Sequence, residues 1–241
     1  KYLRTDSDSP SDRKPRCLIV TESVFSMDGD HAPLKELVDL KEKYGAWLIV
    51  DEAHATGVYG SQGRGLAEEL GVASRIEVQM GTLGKALGAS GGYICGSRRL
   101  VEFLVNQART FIFSTAPVPA TAAAASEAIE IVQSEEGRTL RTALFMRVRQ
   151  LTDALHGNIV KPSGPIIPVI IGDEASALKA SAGLRSQGFF VPAIRFPAGT
   201  RSSAHSSDPT AKRESLIRAS SRAQGGADRP GASTGKCHGG R

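Results

Sequence analysis

Apolar residues fall along this chain in short unbroken runs, separated by stretches with helical spacing. Cys17-Leu18-Ile19-Val20-Thr21 is the first run, and a continuous apolar run of that length predicts a strand covered on both faces. Leu34, Leu37, Val38 and Lys41 then recur at intervals of three and four, which is the spacing of one helix face. Asp30 is placed to cap that helix, Pro33 sits near its first turn and Gly45 ends it. Trp47-Leu48-Ile49-Val50 is a second buried strand that stops at Asp51. Strand, helix and strand at these separations predict a right-handed parallel crossover.

Residues 76–80 and 93–95 read as further strands flanking a glycine-rich segment, 81–92. Helices are expected over 97–109, 117–134 and 138–156. A strand over 166–171, a helix over 174–187 and a strand over 189–194 follow. This last α/β group comes after a long helical stretch, which places it in a second, smaller domain. Residues 1–16 are polar and read as a loop. From about residue 201 the only large apolar side chains are Leu216 and Ile217. Such a stretch buries too little surface to offset its ordering entropy, so disorder is expected there. No internal repeat is present.

Composition changes this picture little. The chain has 241 residues, 40% hydrophobic and 23% charged, as in an ordinary soluble globular protein. Its net charge of +5 comes entirely from the tail, where eight Lys/Arg face three acids, while residues 1–200 balance at 22 against 22. A neutral body gives no electrostatic footprint for nucleic acid. Cys17, Cys95 and Cys237 form no CxxC pair, which suits a reducing compartment better than a disulfide scaffold. No apolar run approaches the roughly 20 residues that cross a bilayer, and no signal segment opens the chain. The cytoplasm is the expected location.

Seven residues could carry chemistry. Lys85 stands in Gly81-Thr82-Leu83-Gly84-Lys85-Ala86-Leu87-Gly88, where glycines let a flat molecule approach the backbone. Its amine can form an imine with a carbonyl, and Thr82 offers a hydroxyl to a phosphate. A solvated loop lysine is the plain alternative. A P-loop is excluded, because Gln79 replaces its first glycine and Ala86 its Ser/Thr. Asp51 ends a strand, where open α/β sheets place ligand-binding groups. A carboxylate there suits a protonated pyridine nitrogen, and His54 lies three residues on. Helix capping is the alternative for Asp51. The octet Trp47 to His54 also matches the nucleotide-hydrolysing motif of DEAH-box helicases, with Asp51 and Glu52 handling magnesium and water. That reading needs an upstream P-loop, which residues 1–46 do not contain. Ser26 follows the first strand, and Ser114 and Thr115 precede Pro117. Turn formation and capping are their plain alternatives.

Taken together, Thr21 to Asp30, Val50 to Gly57, Gly81 to Gly88 and Phe113-Ser114-Thr115 resemble the α-oxoamine synthases, fold-type I enzymes that use pyridoxal 5'-phosphate (PLP). The resemblance covers about residues 17–197 and implies an α/β fold. In that fold 1–134 is part of a large cofactor-binding domain with a mostly parallel sheet, 135–200 is part of a smaller α/β C-terminal domain, and 201–241 is an aberrant tail. It implies that Lys85 bonds to the cofactor aldehyde and Asp51 holds the pyridinium nitrogen. His54 and Ser26 would contact the ring oxygen, and Thr82 the phosphate. Ser114 and Thr115 would reach the phosphate of the neighbouring subunit in a homodimer. The implied activity joins an amino acid to an acyl thioester, of coenzyme A or an acyl-carrier protein, with loss of carbon dioxide. Gln79-Met80 and Ser90 to Gly96 are most like members acting on L-alanine and a pimeloyl thioester in biotin synthesis, with glycine C-acetyltransferase chemistry the alternative. The family's N-terminal half, with its phosphate loop and ring-stacking histidine, is expected to be missing, so the chain alone should be impaired.

Overall fold

The computed structural model describes residues 17–155 and 163–194. The expected opening loop over 1–16 and tail over 201–241 lie outside the described residues. The chain divides into two compact units, Lys1–Ile170 and Ile171–Arg241. The sequence reading instead divides it at 134/135.

The first unit is built on a four-stranded sheet in the order β1 (Leu18–Glu22), β2 (Trp47–Asp51), β3 (Val78–Thr82) and β4 (Gly92–Gly96). The first three are parallel, and β4 runs antiparallel to β3. Helix α1 (Leu34–Tyr44) makes the crossover from β1 to β2 and buries Leu34 and Val38. Its acidic Glu36 and basic Lys41 and Lys43 sit at the ends that suit the helix dipole. Gly45 stops it in the left-handed region at φ 61°, and its amide returns to the carbonyls of Glu42 and Lys41. Asp30 does not cap this helix. Pro33 occupies the cap position without a side-chain bond, because Asp30 is held back in the Val24–His31 turn, where its carbonyl accepts the Phe25 amide.

Leu34, Val38, Leu48, Val50 and Leu66 are fully buried in one cluster. Each such side chain contributes about 1.5–3 kcal/mol relative to exposure. The expectation that β1 and β2 are covered on both faces fails on one side. Leu18 is 54% exposed, Val20 66% and Trp47 54%. Side chains alternate across a sheet; α1 packs on the Leu48/Val50 face and leaves Leu18, Val20 and Trp47 open.

Glu77, just ahead of β3, locks β2 in place. Its Oε1 lies 2.6 Å from the buried Lys41 Nζ, and its Oε2 accepts the Leu48 amide at 2.8 Å. Burial opposes its ionisation, yet the Lys41 ammonium and the Leu48 amide outweigh this and hold its carboxyl below the usual carboxylate range. A carboxyl depressed on folding adds stability above its unfolded value, about 4.3, and loses it as pH falls through the folded one. Glu77→Gln should therefore lower the denaturant midpoint at neutral pH and flatten the acid side of the stability profile. Equal acid sensitivity in the two proteins would disprove this role.

After β4 come α3 (Arg98–Gln107), α4 (Arg109–Ile112), α5 (Pro119–Gln133) and α6 (Glu135–Ala154). Arg141 of α6 is buried and donates to the carbonyls of Val132 and Ser61. This ties α6 to the segment after β2. In the second unit, α7 (Glu174–Ser186) is capped by Asp173, which accepts the Ser176 amide at 2.9 Å. The strands expected over 166–171 and 189–194 do not form among the described residues, apart from a single bridge position at Val169. An apolar run becomes a strand only where it pairs along a ladder, and no ladder forms there among the described residues.

Candidate active site

The parallel strands β1, β2 and β3 end together at one edge of the sheet. Register pairs Glu22 with Asp51 and Asp51 with Met80, so Thr82 closes β3 just beyond. Asp51 is partly buried, and its Oδ1 accepts the Ala53 amide at 2.8 Å. That bond starts the turn carrying His54. The plain alternative of a local Asp–backbone bond is thus met by one oxygen, and Oδ2 has no hydrogen-bond partner among the described residues.

The β3–β4 connection brings Lys85 to the same edge. The Leu83 amide donates to the Gly91 carbonyl and the Ala89 amide to the Leu83 carbonyl, which pinches the loop at its base. Thr82 reinforces the base, donating to the Gly91 carbonyl and accepting the Gly84 amide, both at 3.2 Å. Lys85 is exposed at the tip, and its Nζ lies 2.8 Å from His54 Nε2. Burial and the Lys85 charge push the His54 pKa below its ordinary value, while Glu22 and Asp51 pull the other way. His54 therefore senses both the amine and the carboxylate.

Asp51, His54 and Lys85 are brought together. Thr82 is in the same loop, with its hydroxyl committed to the loop base. Ser26 is exposed in the turn after β1. Ser114 and Thr115 follow α4, where Ser114 donates to the Thr110 carbonyl at 2.6 Å. No hydrogen bond or ion pair links Ser26, Ser114 or Thr115 to the Lys85 group among the described residues.

Glu52 entered the sequence reading only in the helicase-like alternative, and its structural role was not foreseen. It is 2% exposed and faces inward. Its Oε1 accepts the Ala67 amide, and its Oε2 accepts the Leu66 amide and meets the Ser23 hydroxyl at 2.6 Å. Those donors open α2 (Leu66–Glu69). Gly65, at φ 130°, lies so close that a Cβ would strike the Glu52 carboxylate. A carboxylate saturated in this way cannot handle magnesium and water, which removes the helicase-like reading. Behind the edge, Thr56 donates to the Glu52 carbonyl and meets the Tyr93 hydroxyl at 3.0 Å, tying β4 to the His54 turn.

Residues 2–213 match the family model of aminotransferase class I and II. Among curated proteins, the chain is 54% identical over 186 residues to 8-amino-7-oxononanoate synthase of Anaeromyxobacter dehalogenans, covering 77% of this chain and 47% of the relative. The enzyme of that name from Burkholderia mallei is 42% identical over 233 residues, covering 90% and 59%. The chain thus spans about half the length of such relatives. Among solved structures, serine palmitoyltransferase from S. paucimobilis, determined with PLP and myriocin, superposes with a TM-score of 0.72 at 28% identity, covering 87% of this chain and 56% of that one. The 8-amino-7-oxononanoate synthase of Francisella tularensis superposes with a TM-score of 0.64 at 28% identity, covering 75% and 54%. With a mostly parallel sheet and a lysine loop at its carboxyl edge, matched across most of its length, the chain belongs to the aminotransferase class I and II family.

Proposed function

We propose that this chain carries the covalent lysine and the ring-nitrogen carboxylate of a PLP-dependent acyltransferase. The whole protein would condense L-alanine with a pimeloyl thioester, with loss of carbon dioxide, to give 8-amino-7-oxononanoate for biotin in the cytoplasm. The observation that carries the reading is the Lys85–His54 contact at 2.8 Å, at the strand edge that also presents Asp51. The name of the relatives gives the product, and the sequence resemblance supplies the substrates.

The residues present fit the cofactor. An exposed amine, a carboxylate with an oxygen to spare and an imidazole share one edge. When bound, PLP supplies an electron sink for the pair left at the amino acid's α-carbon. Asp51 keeps a proton on the pyridine nitrogen, because a carboxylate beside it favours the charged form. Lys85 would hold the aldehyde carbon, and as a free amine it would serve as general base toward the α-proton. His54 and Ser26 would hold the ring oxygen and Thr82 the phosphate. Ser114 and Thr115, exposed and unconnected to the Lys85 group, suit contacts with the phosphate of a second subunit in a homodimer.

The test is direct. The chain is mixed with PLP, reduced with borohydride and digested, and the phosphopyridoxyl adduct is located by mass. It is expected on the peptide containing Lys85. An adduct spread evenly over the exposed lysines, or none at all, would sink the reading.

A further inference from the structure

We propose that His54 is a positioning residue and proton relay for Lys85, priming the amine to capture the cofactor aldehyde. This rests on the reading of Lys85 as the covalent lysine and adds a role before the cofactor is bound. At 2.8 Å the Lys85 ammonium donates to His54 Nε2. Only a neutral imidazole offers a lone pair there, so the remaining proton belongs on Nδ1. The turn holding His54 is set by the Asp51–Ala53 bond, and the loop holding Lys85 by Thr82 and Gly91. The contact therefore joins two separately anchored segments. The charged groups acting on His54 are Glu22 at the end of β1, Asp51 at the end of β2 and Lys85 on the loop after β3. Burial and the Lys85 charge disfavour the protonated ring, while Glu22 and Asp51 favour it.

The step balances without an outside base. Nε2 takes one proton from the ammonium, and the freed lone pair bonds to the aldehyde carbon. The imidazolium returns that proton to the carbonyl oxygen. His54 then takes a second proton from the nitrogen and delivers it to the hydroxyl, which leaves as water while the carbon–nitrogen double bond forms. Ammonium and aldehyde become a protonated carbon–nitrogen double bond and water, and His54 ends neutral. An ammonium–imidazole pair reacts at a rate independent of pH between its two pKa values. A lone lysine must first lose its proton to solvent, so its rate climbs about tenfold per pH unit below its own value, about 10.4.

The full chain is mixed with PLP at a series of pH values, quenched with borohydride at timed intervals, and the Lys85 adduct is quantified by mass. The wild type should give a nearly flat rate profile above the His54 pKa. His54→Gln should be slower by about a hundredfold near pH 6, within the usual reach of a positioned acid–base group, with the steep profile of a lone amine. Imidazole in the buffer should accelerate His54→Ala. Equal rates and slopes in wild type and His54→Gln, with the adduct still on Lys85, would overturn the relay while leaving the proposed function standing. No adduct on wild-type Lys85 would overturn both. A cofactor-free measurement tests the contact itself: Lys85→Met should raise the His54 titration midpoint in NMR spectra, and an unchanged midpoint would refute the pairing.

Discussion

Lys85→Ala is expected to abolish the borohydride-stable adduct and the visible absorbance of the PLP-loaded chain, while the protein unfolds at the same denaturant concentration as the wild type. The two halves of this result come from different parts of the structure. The loop is closed by the Leu83–Gly91 and Ala89–Leu83 backbone bonds and by the Thr82 hydroxyl, none of which involves the Lys85 side chain. Lys85 is exposed, and among the described residues its side chain hydrogen-bonds only to His54. Truncating such a side chain usually changes stability by no more than about 0.5 kcal/mol. The chemistry, in contrast, depends on the amine that contacts His54. Lys41, which lies in the same unit, is buried and paired to Glu77 at 2.6 Å, so it cannot present a free amine. Lys85→Arg sharpens the test, because it keeps a cation near His54 but cannot form the carbon–nitrogen double bond. Visible absorbance persisting in either variant would place the covalent amine elsewhere.

What could be read from the sequence was whatever local pattern determines. The apolar runs of β1 and β2 and the three- and four-residue spacing between them specify a crossover unit, because burial and helix geometry leave few alternatives. Lys85 and Asp51 were visible as candidates because one sits among glycines and the other ends an apolar run. Pairing of β2 with β3 sets both at one edge. The helix positions after β4 follow from the same logic, with shifts of up to three residues at their ends and the short α4 not foreseen as a separate helix.

The rest depended on partners that no local pattern names. Residues 166–171 and 189–194 are apolar enough for strands, yet a strand is a relation between segments. The open face of β1 and β2 is the same lesson in reverse, since a continuous apolar run predicts two covers and α1 supplies one. Glu52 was hidden because an acid beside Asp51 in a strand-end motif draws attention as chemistry. Its partners, Leu66 and Ala67, come more than a dozen residues later. The signal that could have found it is Gly65, immediately before those amides, where only a residue without Cβ leaves room for the carboxylate.

Glu52 therefore carries the second large expected effect, and it bears on the site as well as the fold. Three donors converge on its carboxylate: the Leu66 and Ala67 amides and the Ser23 hydroxyl. Glu52→Ala leaves the two amides buried without an acceptor, at about 1–3 kcal/mol each, and opens a cavity beneath Gly65. A total loss of about 4 kcal/mol is expected, a large share of the roughly 5–15 kcal/mol by which a domain is stable. Glu52→Gln keeps the volume but puts an amide group where one of the donors points, so it should be intermediate. Because the Glu52 carbonyl also accepts the Ala55 and Thr56 amides, its displacement loosens the turn that aims His54 at Lys85. Chemical denaturation should show Ala below Gln below wild type, and the rate of adduct formation at Lys85 should fall in the same order, since one carboxylate supports both. If Glu52→Ala unfolds with the wild-type midpoint, the buried carboxylate is not what joins β2 to α2. If stability falls but the adduct forms at the wild-type rate, the His54 turn does not depend on it.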